Sequence, residues 1–116
     1  LVPGSRPDQV LRRWLRSGRR LRMSSIAWTE LLSGPLQPSH RTLAERIVPE
    51  RLSYGERESA AAAELFNATG RRRGSLLDCM IAASARTQGE PLATLNVNDF
   101  RRFESLGLRL AQLDDG

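Results

Sequence analysis

Leu77-Asp78-Cys79-Met80-Ile81-Ala82-Ala83-Ser84-Ala85, with Leu92-Ala93-Thr94-Leu95-Asn96-Val97-Asn98-Asp99-Phe100 behind it, is the stretch that decides the fold. The first part reads as a helix that opens at Ser75 and closes at Gln88-Gly89, with Met80, Ile81, Ala82 and Ala85 as its apolar positions. The second part reads as a buried strand over Pro91 to Leu95, a turn from Asn96 to Asp99, and a short helical piece from Phe100 to Phe103. Leu106 to Leu113 reads as a last strand. One acid stands in the first turn of the helix and another just past the strand.

The same alternation continues upstream. Arg71-Arg72-Arg73-Gly74 is a basic loop ahead of the Asp78 helix, and Ser53-Tyr54-Gly55-Glu56 matches a capping box for a helix running through Ala60–Ala63, Leu65 and Phe66 to Thr69-Gly70. Arg51-Leu52 reads as a very short strand. Ser39 is a candidate cap for a helix reaching Val48. Leu21, Met23 and Ser25 alternate with polar residues as a strand should, and Ile26, Trp28, Leu31 and Leu32 then take helical spacing as far as Gly34-Pro35. Pro7 opens a first helix with Val10, Leu11, Trp14 and Leu15 on one face. Helices alternating with short strands predict an α/β fold, three-layered, with a mainly parallel sheet flanked by helices.

The chain has 116 residues, which suits a single domain over 1–116. A hydrophobic fraction of 40% is enough for a core, so wholesale disorder is excluded. No stretch approaches the roughly 20 apolar residues of a membrane span. Cys79 is the one cysteine, which excludes an internal disulfide and a cysteine-based zinc site and points to a reducing, cytoplasmic setting. All 18 basic residues are arginine, against 13 acids, for a net charge of +5. Guanidinium groups offer bidentate donors to phosphate, so a polyanionic partner is one reading and plain solubility the other. Leu1 to Ser5 contains no Met and no signal-peptide pattern, and reads as starting inside a longer sequence.

In an open parallel sheet, functional groups gather at the carboxyl ends of the strands. Glu30 lies in the helix after the first strand candidate, Asp78 in the first turn of the helix after the basic loop, and Asn96 and Asp99 directly after the Leu92 to Leu95 strand, so these groups converge if the strands are neighbours. Carboxylates without histidine or cysteine partners form a hard-oxygen site, suited to Mg²⁺ or Mn²⁺ rather than zinc. Beside an arginine-rich surface that is nuclease chemistry. Each acid also has a structural reading. Asp78 completes Ser75-x-x-Asp78, a helix-capping pattern; Glu30 faces solvent; Asp99 caps the short helix at Phe100. Arg71 to Arg73 form a phosphate clamp or a solvated loop. His40 reads as a surface residue, Cys79 as core, and Tyr54 and the tryptophans as packing groups.

The Asp78 helix resembles the D-x-x-I-A-A-x-A helix of PIN-domain ribonucleases, and Leu92 to Phe100 resembles the strand and turn that follow it there. Gly107-Leu108-Arg109-Leu110 is similar to that family's last strand, and Met23 to Leu32 to its strand followed by a helix with an inward Glu. The likeness covers nearly the whole chain and is strongest to VapC-type toxins of toxin–antitoxin pairs. It implies a Mg²⁺-dependent endoribonuclease with Glu30, Asp78 and Asp99 as metal-binding and catalytic acids. Thr94 and Asn96 would support them, and Arg71, Arg72 and Arg73 would hold RNA. It also implies a homodimer inhibited by a VapB-type antitoxin. One departure stands out. The family's first acid lies on a first strand, and nothing before Pro7 is acidic, so that strand is expected to be missing and Mg²⁺ binding by this chain to be weak. The alternative is a non-catalytic PIN-like module that binds RNA or protein. A DNA-binding module is disfavoured, since no helix-turn-helix spacing with a glycine-bearing turn is present.

Overall fold

Ser24 and Ser25 stand where the first described strand becomes a helix, and each serine has its own task. The strand β1 (Arg22–Ser24) runs straight into α1 (Ser25–Ser33). Ser24 Oγ caps the helix by accepting the Ala27 N–H at 3.0 Å, while Ser25 Oγ donates to the Leu52 carbonyl at 2.7 Å. Leu52 ends β2 (Glu50–Leu52), which lies parallel to β1 in the register Arg22 opposite Glu50 and Ser24 opposite Leu52. Between them α2 (Pro38–Ile47) makes the crossover that a parallel pair requires. Ile47 and Val48 are buried, and the Arg51 guanidinium lies 4.5 Å over the Trp28 ring. Ser39 does not cap α2. Gln37 is the N-cap, because Pro38 suits the first helical position, where no N–H is required.

The computed structural model describes residues 9, 12, 13, 16, 21–94 and 96–111, which fall into one unit ending at Leu52 and another beginning at Ser53. Residues 9, 12, 13 and 16 are helical; the remainder of the helix expected from Pro7, and the expected loss of a first strand, lie outside the described residues. No helix among the described residues is long and apolar enough to cross a membrane.

The second unit is built on two helices, α3 (Glu56–Ala68) and α4 (Leu76–Gln88). Their contact is made largely of small side chains: Ala61, Ala62 and Leu65 from α3 meet Cys79, Ala82 and Ala83 from α4, all buried. Alanines let the two backbones approach closely, and Leu65 fills the remaining space. The expected capping box is displaced by two residues. Gly55 is the N-cap, and Glu58 Oε1 accepts the Gly55 N–H at 2.8 Å, so Glu58 takes the role assigned to Glu56. Gly89 closes α4 with φ 67°, a left-handed conformation that glycine adopts without strain, and its N–H reaches the Arg86 carbonyl at 3.0 Å.

The remaining elements are shorter than their sequences suggest. Leu92 and Leu110 form an isolated parallel bridge, with Leu92 N–H donating to Arg109 O and Ala111 N–H to Leu92 O, both at 2.8 Å. The expected strand over Pro91 to Leu95 shrinks to that bridge. Pro91 has no N–H to give, and Leu95 lies outside the described residues. The expected last strand shrinks likewise: Leu106 ends a 3₁₀ helix (Arg101–Leu106), Leu110 alone pairs, and 112–113 lie outside the described residues. That 3₁₀ helix continues from α5 (Val97–Phe100). Its Phe103 and the preceding Phe100 drop into the core edge to face, ring centres 6.0 Å apart.

Candidate functional site

Asp78 is the third residue of α4, at the positive end of the helix, where a carboxylate is favoured. Ser75 is the N-cap, but no hydrogen bond ties it to Asp78. Its Oγ donates instead to the Arg72 carbonyl at 2.7 Å. The capping role suggested by Ser75-x-x-Asp78 is therefore not the one the side chains adopt. The Asp78 carboxylate is half-buried, and its one charged contact among the described residues is Arg102, whose Nη2 lies 3.8 Å from Oδ2. Burial pushes its carboxyl pKa up, and the nearby charge of Asp99 pushes the same way, against the pull of Arg102. A carboxylate in that state gains from a cation.

Asp99 is exposed on α5, and its N–H donates to the Asn96 carbonyl at 3.0 Å. The Asn96 N–H donates in turn to Thr94 Oγ1 at 3.0 Å, so Thr94 and Asn96 shape the backbone turn that carries Asp99. The Asn96 side chain is exposed and makes no capping bond. Asp99 does not cap the short helix; it lies inside it.

Glu30 is exposed on α1, in the unit that ends at Leu52. Asp78 and Asp99 share Arg102, which faces the Asp78 carboxylate at 3.8 Å and donates to the Asp99 backbone carbonyl. Among the described residues no three His, Cys, Asp or Glu side chains cluster closely enough to hold a metal ion by themselves. Mg²⁺ commonly uses only one or two carboxylates and fills its remaining positions with water and phosphate oxygens. Asp78 and Asp99 match such an ion in the chemistry of their oxygens. Cys79 does not join them: it is buried, and burial pushes its thiol pKa up, so it stays a protonated core residue.

Arg102 is the site residue that sequence reasoning missed. Its Nη1 donates to the Asp99 carbonyl, its guanidinium carbon lies 4.4 Å over the Phe103 ring, and Nη2 faces Asp78. Its Nε is enclosed with no hydrogen-bond partner among the described residues. A signal for it was present. Asp99 in α5 and Arg102 in the 3₁₀ helix that continues it are three residues apart, a spacing that puts two residues on one side of a helix.

The other arginines of this unit divide by what they touch. Arg86 pairs with Glu64 at 3.1 Å and reaches the Leu106 carbonyl at 3.0 Å, Arg57 reaches the Thr87 carbonyl at 3.4 Å, and Arg109 donates to the Gly89 carbonyl. In the basic loop Arg71 has φ 53° and its Nε donates to Asn67 Oδ1 at 2.9 Å. Arg72, Arg73 and Arg101 are exposed, and their side chains have no partner among the described residues. Arg72 and Arg73 stand at the same end of α4 as Asp78.

The comparisons with known proteins bear on the family and the fold. A sequence profile of the PIN domain matches residues 4–106. A DNA-bound VapBC from Salmonella typhimurium aligns with a TM-score of 0.68 at 22% identity, covering 92% of this chain and 86% of that one. VapBC2 from Rickettsia felis, bound to a DNA fragment from its promoter, aligns with a TM-score of 0.68 at 19% identity, covering 95% and 87%. No curated protein matches the chain. The predicted fold class, α/β with parallel strand pairing, is borne out.

Proposed function

The chain belongs to the PIN-domain family, and from that premise we propose that it is a Mg²⁺- or Mn²⁺-dependent endoribonuclease, the toxin of a type II toxin–antitoxin pair. The observation that carries the reading is the half-buried Asp78 carboxylate in the first turn of α4, facing at 3.8 Å the guanidinium of Arg102, which lies on the same segment as Asp99. Asp78 and Asp99 would hold the ion, with Glu30 as a third acid and Asn96 assisting. When bound, such an ion acidifies a water and neutralises charge on the scissile phosphate, so that water adds to phosphorus and a ribose oxygen leaves. Thr94 fixes the turn that presents Asn96 and Asp99. Arg72 and Arg73 hold phosphates on either side of the cleaved bond; Arg71, bound to Asn67, has less freedom to do so.

The two VapBC structures that share the fold support a VapB-type antitoxin as partner. A homodimer in the cytoplasm, with RNA as substrate, completes the proposal. A non-catalytic PIN-like binding module is the second reading, favoured by the fact that Asp78 already has a cation beside it in Arg102.

The test is cleavage of a mixed RNA substrate with Mg²⁺, with EDTA, and by Asp78→Asn. Loss of cleavage under both EDTA and the substitution supports the nuclease. Cleavage that survives Asp78→Asn removes Asp78 from the site. Binding of RNA without cleavage under any condition favours the module.

A further inference from the structure

We propose that Arg102 is the resident cation of the carboxylate site, and that a divalent ion enters by displacing its guanidinium from Asp78. This rests on the metal-site reading above and adds how that site is filled. Two neighbouring carboxylates repel each other unless a positive charge lies between or beside them. Arg102 supplies one from within the chain, on the segment that carries Asp99.

Its three contacts differ in strength. The bond from Nη1 to the Asp99 carbonyl and the stacking of the guanidinium on Phe103, 4.4 Å away, hold the head group to its own segment. The contact with Asp78 is looser. At 3.8 Å it lies beyond hydrogen-bond reach, and it is a single contact rather than the parallel pair that a guanidinium makes at its best. The enclosed Nε–H, without an acceptor among the described residues, marks the seat as a compromise. A side chain anchored at Asp99 and Phe103 can swing its Nη2 away from Asp78 while keeping those two contacts. A divalent ion bound to the Asp78 oxygens would repel the guanidinium at this range and so drive that movement. The exchange makes Arg102 a competitor for the metal and not one of its helpers.

The experiment is Mn²⁺ titration of the full chain, followed by calorimetry and by the electron paramagnetic resonance of free Mn²⁺. Arg102→Gln and Arg102→Lys are compared with the unaltered protein, and Asp78→Asn marks the site. Arg102→Gln is expected to bind on the order of tenfold more tightly, and Arg102→Lys, which keeps the charge, to fall between the two. Equal or weaker binding by Arg102→Gln overturns the proposal. Should that variant fail to fold, the Nε–H resonance of Arg102 in the unaltered chain, assigned by its loss in Arg102→Lys, gives a second readout. It should move as Mg²⁺ is added, and a resonance unchanged at saturation overturns the displacement. Absence of Mn²⁺ binding in all the folded proteins overturns the metal-site reading and this inference together. Binding without the Arg102 effect overturns this inference alone.

Discussion

Thr87 Oγ1, at the end of α4, donates a hydrogen bond of 3.1 Å to Glu58 Oε2, at the start of α3. The other oxygen of the same carboxylate accepts the Gly55 N–H. One side chain thus closes the N-terminus of one helix and ties it to the C-terminus of its neighbour. The bond from Gly55 lowers the Glu58 pKa, ahead of an opposing push from burial and a further lowering by Thr87. A carboxylate with a lowered folded-state pKa contributes stability that is present above its unfolded pKa and lost as pH falls through the folded value. Glu58→Gln should therefore melt lower than the unaltered chain at pH 7, by on the order of 5 °C, with the deficit shrinking as the solution becomes acidic. Thermal melts followed by circular dichroism at both pH values check this.

Asp78 should behave in the opposite sense. Its pKa is raised, chiefly by burial, so its share of folded-state stability is fully present below the unfolded pKa and is lost as pH rises through the raised value. Asp78→Asn should melt no lower than the unaltered chain at pH 7, and the two should converge in acid. Its cleavage rate should nevertheless fall by at least about 100-fold, the loss expected when the ion that stabilises charge on the reacting phosphate loses a ligand. A lower melting temperature with full cleavage would assign Asp78 to the fold rather than to the chemistry.

The contact between α3 and α4 tolerates little change in volume. Leu65→Ala should cost about 2–5 kcal/mol, since a fully buried side chain leaves a cavity. Ala82→Leu should cost about 1–3 kcal/mol or more, because Ala82 is fully enclosed where two helices meet through small residues. Urea denaturation of both variants reads these values.

Arg72 and Arg73 should be separable from Arg71 by salt. If both hold phosphates of single-stranded RNA, Arg72→Ala with Arg73→Ala should reduce the slope of log affinity against log salt by about 1.4. Arg71→Ala should change that slope less, because its guanidinium is bound to Asn67. RNA binding in EDTA, across a range of salt concentrations, measures both.

The helix from Leu76 to Gln88 was legible because its signals agree: apolar spacing, an acid in the first turn, and a glycine just past the end. The start of α3 was harder. Ser53-x-x-Glu56 and Gly55-x-x-Glu58 place a glutamate at the same spacing two residues apart, and the pattern alone does not choose between them. The strands around Leu92 and Leu110 read as longer than they are because apolar runs report burial, and burial there comes from packing on the core. At the site, Asp78 and Asp99 were legible from their places after predicted elements. Arg102 was missed, because its spacing from Asp99 shows a shared side of the helix but not that this side faces Asp78. The distinction between Arg71 and its two neighbours lies in a backbone angle that composition does not report.

The two short parallel pairings also order the events of folding. The α3–α4 hairpin needs only the loop from Thr69 to Ser75 to close before its alanines and Leu65 meet. The β1–β2 register must wait until all of α1 and α2 has been gathered between its partners, and Leu92 must wait for Leu110 across α5 and the 3₁₀ turn. Contacts distant along the chain are reached late, after the entropy of the enclosed loop has been lost. The hairpin bearing Asp78 is then the nucleus, and Asp99 and Arg102 reach it only as the last turn docks, so the acidic pair assembles at the end of folding.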